Sequence, residues 1–97
     1  MKRIVFTKKA KKDIKRLQGD SKKIDLLTDL LFKLANNEVL DSTYHVHELK
    51  GEYAGCLECH IQGDFLLVWI DDDAIKIIRV GSHSELASTA MTVAWMT

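Results

Sequence analysis

The chain carries four histidines, His45, His47, His60 and His83, and three of them stand beside turns or strand ends. His47 opens the stretch Glu48-Leu49-Lys50-Gly51, His60 closes an alternating run just before Gln62-Gly63-Asp64, and His83 follows Gly81-Ser82. Imidazole changes charge nearest neutral pH, so two of them within reach of one substrate can divide proton removal from proton donation. The condition is proximity. Positions 47, 60 and 83 meet only if adjacent strands, about 4.8 Å apart, bring turn-flanking residues together. On spacing alone, a solvated or hydrogen-bonded structural role for each histidine stays open.

Cys56-Leu57-Glu58-Cys59-His60 suggests a second chemistry, because C-x-x-C-H is the pattern of covalent haem attachment and C-x-x-C is half a zinc site. His45, His47 and His83 are the only further histidines that could complete a zinc site. Strand alternation argues against both metals. Residues three apart on a strand point to opposite faces, so Cys56 and Cys59 cannot share one porphyrin or one ion without a bulge. They read instead as small hydrophobes, free thiols in a reducing compartment. A Gly-rich phosphate loop, a nucleophile elbow and an H-E-x-x-H motif are missing from the sequence.

Periodicity predicts the elements that must position these residues. Residues 3–6 read as a short strand stopped by Thr7, a good N-cap. Ala10, Ile14 and Leu17 recur at i, i+4 and i+7 between lysines, an amphipathic helix with Gly19 expected at its C′ position. Asp20 or Ser21 caps a second helix with apolar positions Ile24, Leu27, Leu31 and Leu34, widened by Leu26 and Leu30 and ended by Asn36-Asn37. Past residue 40 the period falls to two. Residues 56–61 alternate, residues 62–64 turn, residues 65–70 form a central apolar strand, residues 71–73 turn again and residues 75–80 form a last strand. A strand, a helical hairpin and a run of antiparallel strands predict an α+β fold.

Ninety-seven residues, 46% hydrophobic and 29% charged, suit one ordinary globular domain. The longest apolar run, residues 65–70, is far short of a membrane span, and the basic start MKRIVF lacks an export signal's apolar stretch; the expected compartment is the cytoplasm. Net charge is zero, yet ten of the fourteen basic residues fall within residues 1–23 against only Asp13 and Asp20, so that segment carries +8 and the remainder −8. A basic face for a polyanion accounts for the split, and so does a solvated lysine-rich helix.

At His47-Glu48-Leu49-Lys50-Gly51, Gly55, Glu58-Cys59-His60-Ile61 with Asp64, and Arg79-Val80-Gly81-Ser82-His83-Ser84-Glu85-Leu86, the chain resembles the YafQ-like branch of the RelE/ParE toxin superfamily. The likeness runs from the first strand to Leu86, which implies a single toxin domain over residues 1–86 and an extension over residues 87–97. It implies two helices against a twisted antiparallel sheet, and a type II toxin that cuts messenger RNA in the ribosomal A site. It also implies restraint by a cognate antitoxin, usually one with a ribbon-helix-helix DNA-binding end. The implied catalytic set is His47, His60, Asp64 and His83. Lys8, Lys9, Lys11, Lys12, Lys50 and Arg79 are the implied RNA and ribosome contacts. RNA brings its own nucleophile, the 2′-hydroxyl, so the resemblance calls for no metal or cofactor, only a base, an acid and positive charge at the phosphorane. His83 is the expected acid, His60 or His47 the base, and Asp64 either fixes a tautomer or acts as base itself. The chain departs from the family where an arginine gives way to Leu57 and where a phenylalanine gives way to Ala87, the latter implying a weakened nuclease unless a ring such as Trp95 substitutes. A non-catalytic relative of the same fold is the competing reading: a ParE-like gyrase inhibitor or an antitoxin-binding module.

Overall fold

Caps and turns decide the first elements. Strand β1 (Ile4–Phe6) runs into Thr7, whose Oγ1 accepts from the Ala10 N–H at 3.1 Å and starts helix α1 (Lys8–Arg16). The helix closes at Leu17 in a right-handed conformation, and the Asp20 N–H bonds back to the Leu17 carbonyl at 2.8 Å. Gly19 is therefore not the left-handed cap that its position suggests, because the chain reverses without a positive φ there. Asp20 caps helix α2 (Ser21–Ala35) by accepting from the Lys23 N–H, and Asn37, at φ 57°, supplies the left-handed residue beyond its end. The computed structural model describes residues 1–86; the expected extension 87–97, with Ala87 and Trp95, lies outside the described residues.

The remaining strands are β2 (His47–Glu48), β3 (Leu57–Gln62), β4 (Phe65–Asp71) and β5 (Ile75–Ser82), followed by a single helical turn, α3 (His83–Leu86). They form one sheet in the order β1-β5-β4-β3-β2. The antiparallel expectation describes β2 to β5, whereas β1 joins as a parallel edge strand beside β5, Ile4 opposite Ile75 and Phe6 opposite Ile77. A strand that returns to its sheet through two helices and three further strands is free of the hairpin constraint that enforces antiparallel pairing. Two residues long, β2 carries no periodicity and escapes sequence analysis.

The sheet has two unlike faces. On the helix side Cys59, Leu67, Trp69, Ile75, Ile77 and Val80 pack against Leu27, Leu30 and Leu34 of α2 and Ala10 and Leu17 at α1. On the other side Leu66 and Val68 meet Leu49, Cys56 and Leu86. A bulge, with Val68 opposite Arg79 but Trp69 opposite Ile77, inserts Ile78 as an extra residue. It lets both Ile77 and Val80, three apart, face the helices. The alternation reading of the thiols agrees with this packing, since Cys56 and Cys59 lie in different layers.

Past Ile77 the edge of β5 is no longer paired with β1, and α1 covers it. Thr7 Oγ1 donates to the Ile78 carbonyl at 3.1 Å. Asp13, 2% exposed, accepts from the Val80 N–H at 3.0 Å and from Arg79 through Nε at 2.8 Å and Nη2 at 3.1 Å. Arg16 Nη2 also donates to Asp13, and Arg16 Nε reaches Glu85 Oε2 at 3.4 Å. Glu85 in turn closes a reciprocal capping box on α3: its Oε1 accepts from the Ser82 N–H at 2.8 Å, while Ser82 Oγ accepts from the Glu85 N–H at 3.2 Å. Gly81 leaves room for this carboxylate: a Cβ there would stand 3.1 Å from Glu85 Oε1 and crowd it.

Two stability measurements test this scaffold. Asp13→Ala leaves a buried guanidinium and a strand N–H without acceptors, and should lower unfolding free energy in urea by about 3–5 kcal/mol. The Ser82 backbone N–H, then Arg16, hold the Glu85 carboxyl below its ordinary range. A group so lowered contributes stability that is present above the unfolded value and lost as pH falls through the folded one. Glu85→Ala should therefore lower stability at neutral pH, and its deficit against the parent chain should shrink as pH falls below about 4.

Candidate active site

Register places the histidines on the sheet face away from the helices. His47 lies opposite Glu58 across β2 and β3, Glu58 opposite Val68, and His60 opposite Leu66, which is itself opposite Gly81 on β5. Cross-strand partners share a face, so His47, Glu58 and His60 line the same side as Leu66 and Val68. His83 stands two residues beyond Gly81, as the first residue of α3. A further irregularity between His60 and Gln62 ends the regular β3 register where His60 must turn toward the loop.

His60 is oriented by its own turn. Its Nδ1 lies 2.9 Å from the carbonyl oxygen of Gly63, which takes φ 57°. A carbonyl only accepts, so Nδ1 carries hydrogen and Nε2 of the neutral ring is left with its lone pair. The ring of His83 lies 5.8 Å from that of His60, centroid to centroid, with planes tilted by 57°. His45 meets His60 edge-to-face at 5.5 Å. Imidazoles from three separate stretches of chain thus meet at His60.

His47 is held differently. Its Nδ1 lies 2.9 Å from the His45 carbonyl, and its Nε2 lies 3.1 Å from Oε1 of Glu58, which is 1% exposed. The His45 carbonyl only accepts, so Nδ1 is the donor there, and Nε2 is occupied by the Glu58 carboxyl; with both ring nitrogens engaged, His47 has no lone pair turned to a substrate.

Asp64 is exposed in the β3–β4 turn beside Gly63. Lys8, Lys9, Lys11 and Lys12 lie along α1 toward solvent, and Lys50 is exposed after β2. Arg79 departs from its expected place among open RNA contacts. It is 7% exposed and committed to Asp13, whose hydrogen bonds hold its guanidinium above the ordinary value. A cation in so low a dielectric needs a partner within the protein. Burial pushes the Cys59 thiol up to about 12, with neighbouring Glu58 adding to the effect, and burial raises Cys56 as well; neither is a ready thiolate. Among the described residues, no three His, Cys, Asp or Glu side chains are arranged as a metal-ligand set.

Sequence reasoning overlooked three contributors. Glu58 sits in the strand alternation, where position alone does not reveal that its partner is His47. The Ser82-x-x-Glu85 spacing is a legible capping signature that orients His83. His45 differs again: it belongs to a 3₁₀ turn, Ser42–Tyr44, that it ends at φ 50°, and no period marks it.

Comparison with known proteins agrees with this architecture. At 29% identity over 85 residues, spanning 86% of this chain and 92% of the relative, it is similar to the mRNA interferase toxin YafQ of Escherichia coli K12. A metal-bound toxin from Helicobacter pylori superposes with a TM-score of 0.79 at 36% identity, covering 89% of this chain and 99% of that one. YafQ in the E. coli DinJ–YafQ toxin–antitoxin complex superposes with a TM-score of 0.77 at 29% identity over 88% of this chain and 96% of that one. The model of the family described as bacterial toxin of type II toxin–antitoxin system, YafQ, matches residues 2–88, and the chain belongs to that family.

Proposed function

We propose that this toxin is an endoribonuclease that cuts ribosome-bound messenger RNA by histidine acid–base chemistry, without a metal ion. The observation that carries the reading is the pairing of His60, whose Nε2 is left as an acceptor by the Nδ1–Gly63 hydrogen bond, with a second imidazole, His83, at 5.8 Å. His60 removes the proton of a ribose 2′-hydroxyl, and the 2′-oxygen attacks the adjacent phosphorus. The bond to the 5′-oxygen breaks as that oxygen takes a proton from His83. The products are a 2′,3′-cyclic phosphate and a 5′-hydroxyl, and the two histidines end with their protons exchanged. His47, with both ring nitrogens engaged by the His45 carbonyl and Glu58, is the poorer base, which favours His60 in that role. The Gly63 carbonyl, not Asp64, takes the part of fixing the His60 tautomer, so Asp64, exposed in the same turn, is kept as the alternative base.

RNA supplies the nucleophile, so the protein needs no activated side chain of its own, and a shallow site suffices. Lysines 8, 9, 11 and 12, with Lys50, form the polyanion-facing surface and gain from counterion release on a ribosomal RNA partner. A cognate antitoxin, as DinJ is for the E. coli relative, restrains the enzyme; the likeness to that complex supports a protein partner, with a ribbon-helix-helix end as the assigned DNA-binding part.

Mapping mRNA ends after incubation with translating ribosomes tests the activity, and intact message at any toxin concentration would assign the chain to the binding-only class. Single-turnover cleavage should follow a bell-shaped pH profile, and His60→Ala and His83→Ala should each lose about 10²–10⁴ in rate while ribosome association persists. A His83→Ala chain that cuts at the parent rate removes His83 from the mechanism. Replacing Lys8, Lys9, Lys11 and Lys12 with glutamate should weaken ribosome binding and flatten its salt dependence, the slope falling by about one for every phosphate no longer neutralised. Affinity unchanged across several salt concentrations would reduce these lysines to a solvated helix face.

A further inference from the structure

His45 lies outside the set of residues that the sequence motifs mark, yet it touches both halves of the site. Its carbonyl receives Nδ1–H of His47 at 2.9 Å, and its ring packs edge-to-face on His60 at 5.5 Å with planes 76° apart. The residue is exposed, so its ring is not placed there by burial. Local chemistry places it instead. Asp41 Oδ1 accepts from the Thr43 N–H at 2.9 Å and from the Thr43 hydroxyl, closing the 3₁₀ turn, and these bonds hold its carboxyl below the ordinary range. Tyr44 then anchors the turn, packing against the helix-side core while its hydroxyl accepts from Lys33 Nζ at 3.1 Å. The chain leaves Tyr44 in one left-handed step, at φ 50° and ψ 50°, with the His45 N–H bonded to the Ser42 carbonyl at 3.2 Å. Histidine is among the few residues with a side chain that enter this region at modest cost.

Resting on the histidine mechanism proposed above, we infer that His45 is a positioning residue for this site: its ring limits the swing that a single bond to Gly63 leaves to the His60 imidazole, and its carbonyl fixes His47. A ring tethered through one hydrogen bond still rotates about it, and small displacements of a base from its proton are costly in rate. With His83 tilted against one neighbouring position and His45 against another, Nε2 of His60 keeps one direction. The His45 ring acts through His60 and transfers no proton itself.

Steady-state cleavage of ribosome-bound mRNA tests this. His45→Asn keeps a residue suited to φ 50° and removes the ring; kcat should fall roughly tenfold while KM stays within about twofold. His45→Phe restores an edge-to-face ring without a titratable group and should recover most of that loss, with both limbs of the pH profile unmoved. Should the Asn chain melt early, His45→Gly, equally at ease at positive φ, carries the same test. An Asn or Gly variant that turns over at the parent kcat overturns the assignment. So does a loss that Phe leaves unrepaired in a chain that melts with the parent, because His45 would then act through its ring nitrogens. His60→Ala belongs in the same series: full activity there would instead overturn the histidine mechanism itself.

Discussion

A buried carboxylate with four donors on it is the interaction from which the rest of this molecule is hung. Asp13 accepts from Arg79 twice, from Arg16 and from the Val80 N–H, all at the place where β5 has outrun its neighbour β1. A lone carboxylate taken out of water is unstable by several kcal/mol, and only such a full set of charge-assisted bonds offsets it. The arrangement is tolerated in one register only. Slide α1 by a turn and the strand N–H, the guanidinium and the carboxylate are all left unpaired. The pair therefore specifies how the basic helix sits on the sheet.

That registration reaches the chemistry through short links. Arg16 on α1 bonds to Asp13 and faces Glu85; Glu85 caps α3 from the Ser82 N–H; and α3 begins with His83. The lysine-rich helix and the turn that carries His83 are joined by these contacts, although they read as separate features along the chain. Gly81 belongs to the same device, since any side chain there would press on the Glu85 carboxylate. Arg79, the cation that the motif offers near the site, is committed inside the scaffold.

The division of labour between the sheet faces follows from pleating. Every second residue of β3 and β4, and of β5 on either side of its bulge, goes to the helix side and builds a continuous apolar layer. The alternate set is only partly covered, by Leu49, Cys56 and Leu86, and the uncovered remainder carries the imidazoles. The ribonuclease reaction proposed above, with the nucleophile on the substrate, asks of such a face chiefly proton exchange.

Much of this was legible in the sequence. The Thr7 and Asp20 caps, the apolar stripes of α1 and α2, the Gly63 turn and the alternation that separates Cys56 from Cys59 depend on local sterics and a hydrophobic period, both written in neighbouring residues. The motifs around His47, His60 and His83 likewise pointed to one site. What the order of residues could not decide were the long-range pairings. Whether β1 lies parallel beside β5, whether Asp13 faces solvent or Arg79 some 66 residues away, and whether Glu58 meets His47 depend on which strand edges the helices cover and where the bulges fall. His45 shows the limit most plainly: in sequence it is one polar residue in a loop, and only a left-handed step after an anchored turn sets its ring against His60. Periodicity determines which side of an element a residue occupies; the partner it finds there is settled by tertiary packing, because the energy of a buried charge or a ring contact exists only once the other half has arrived.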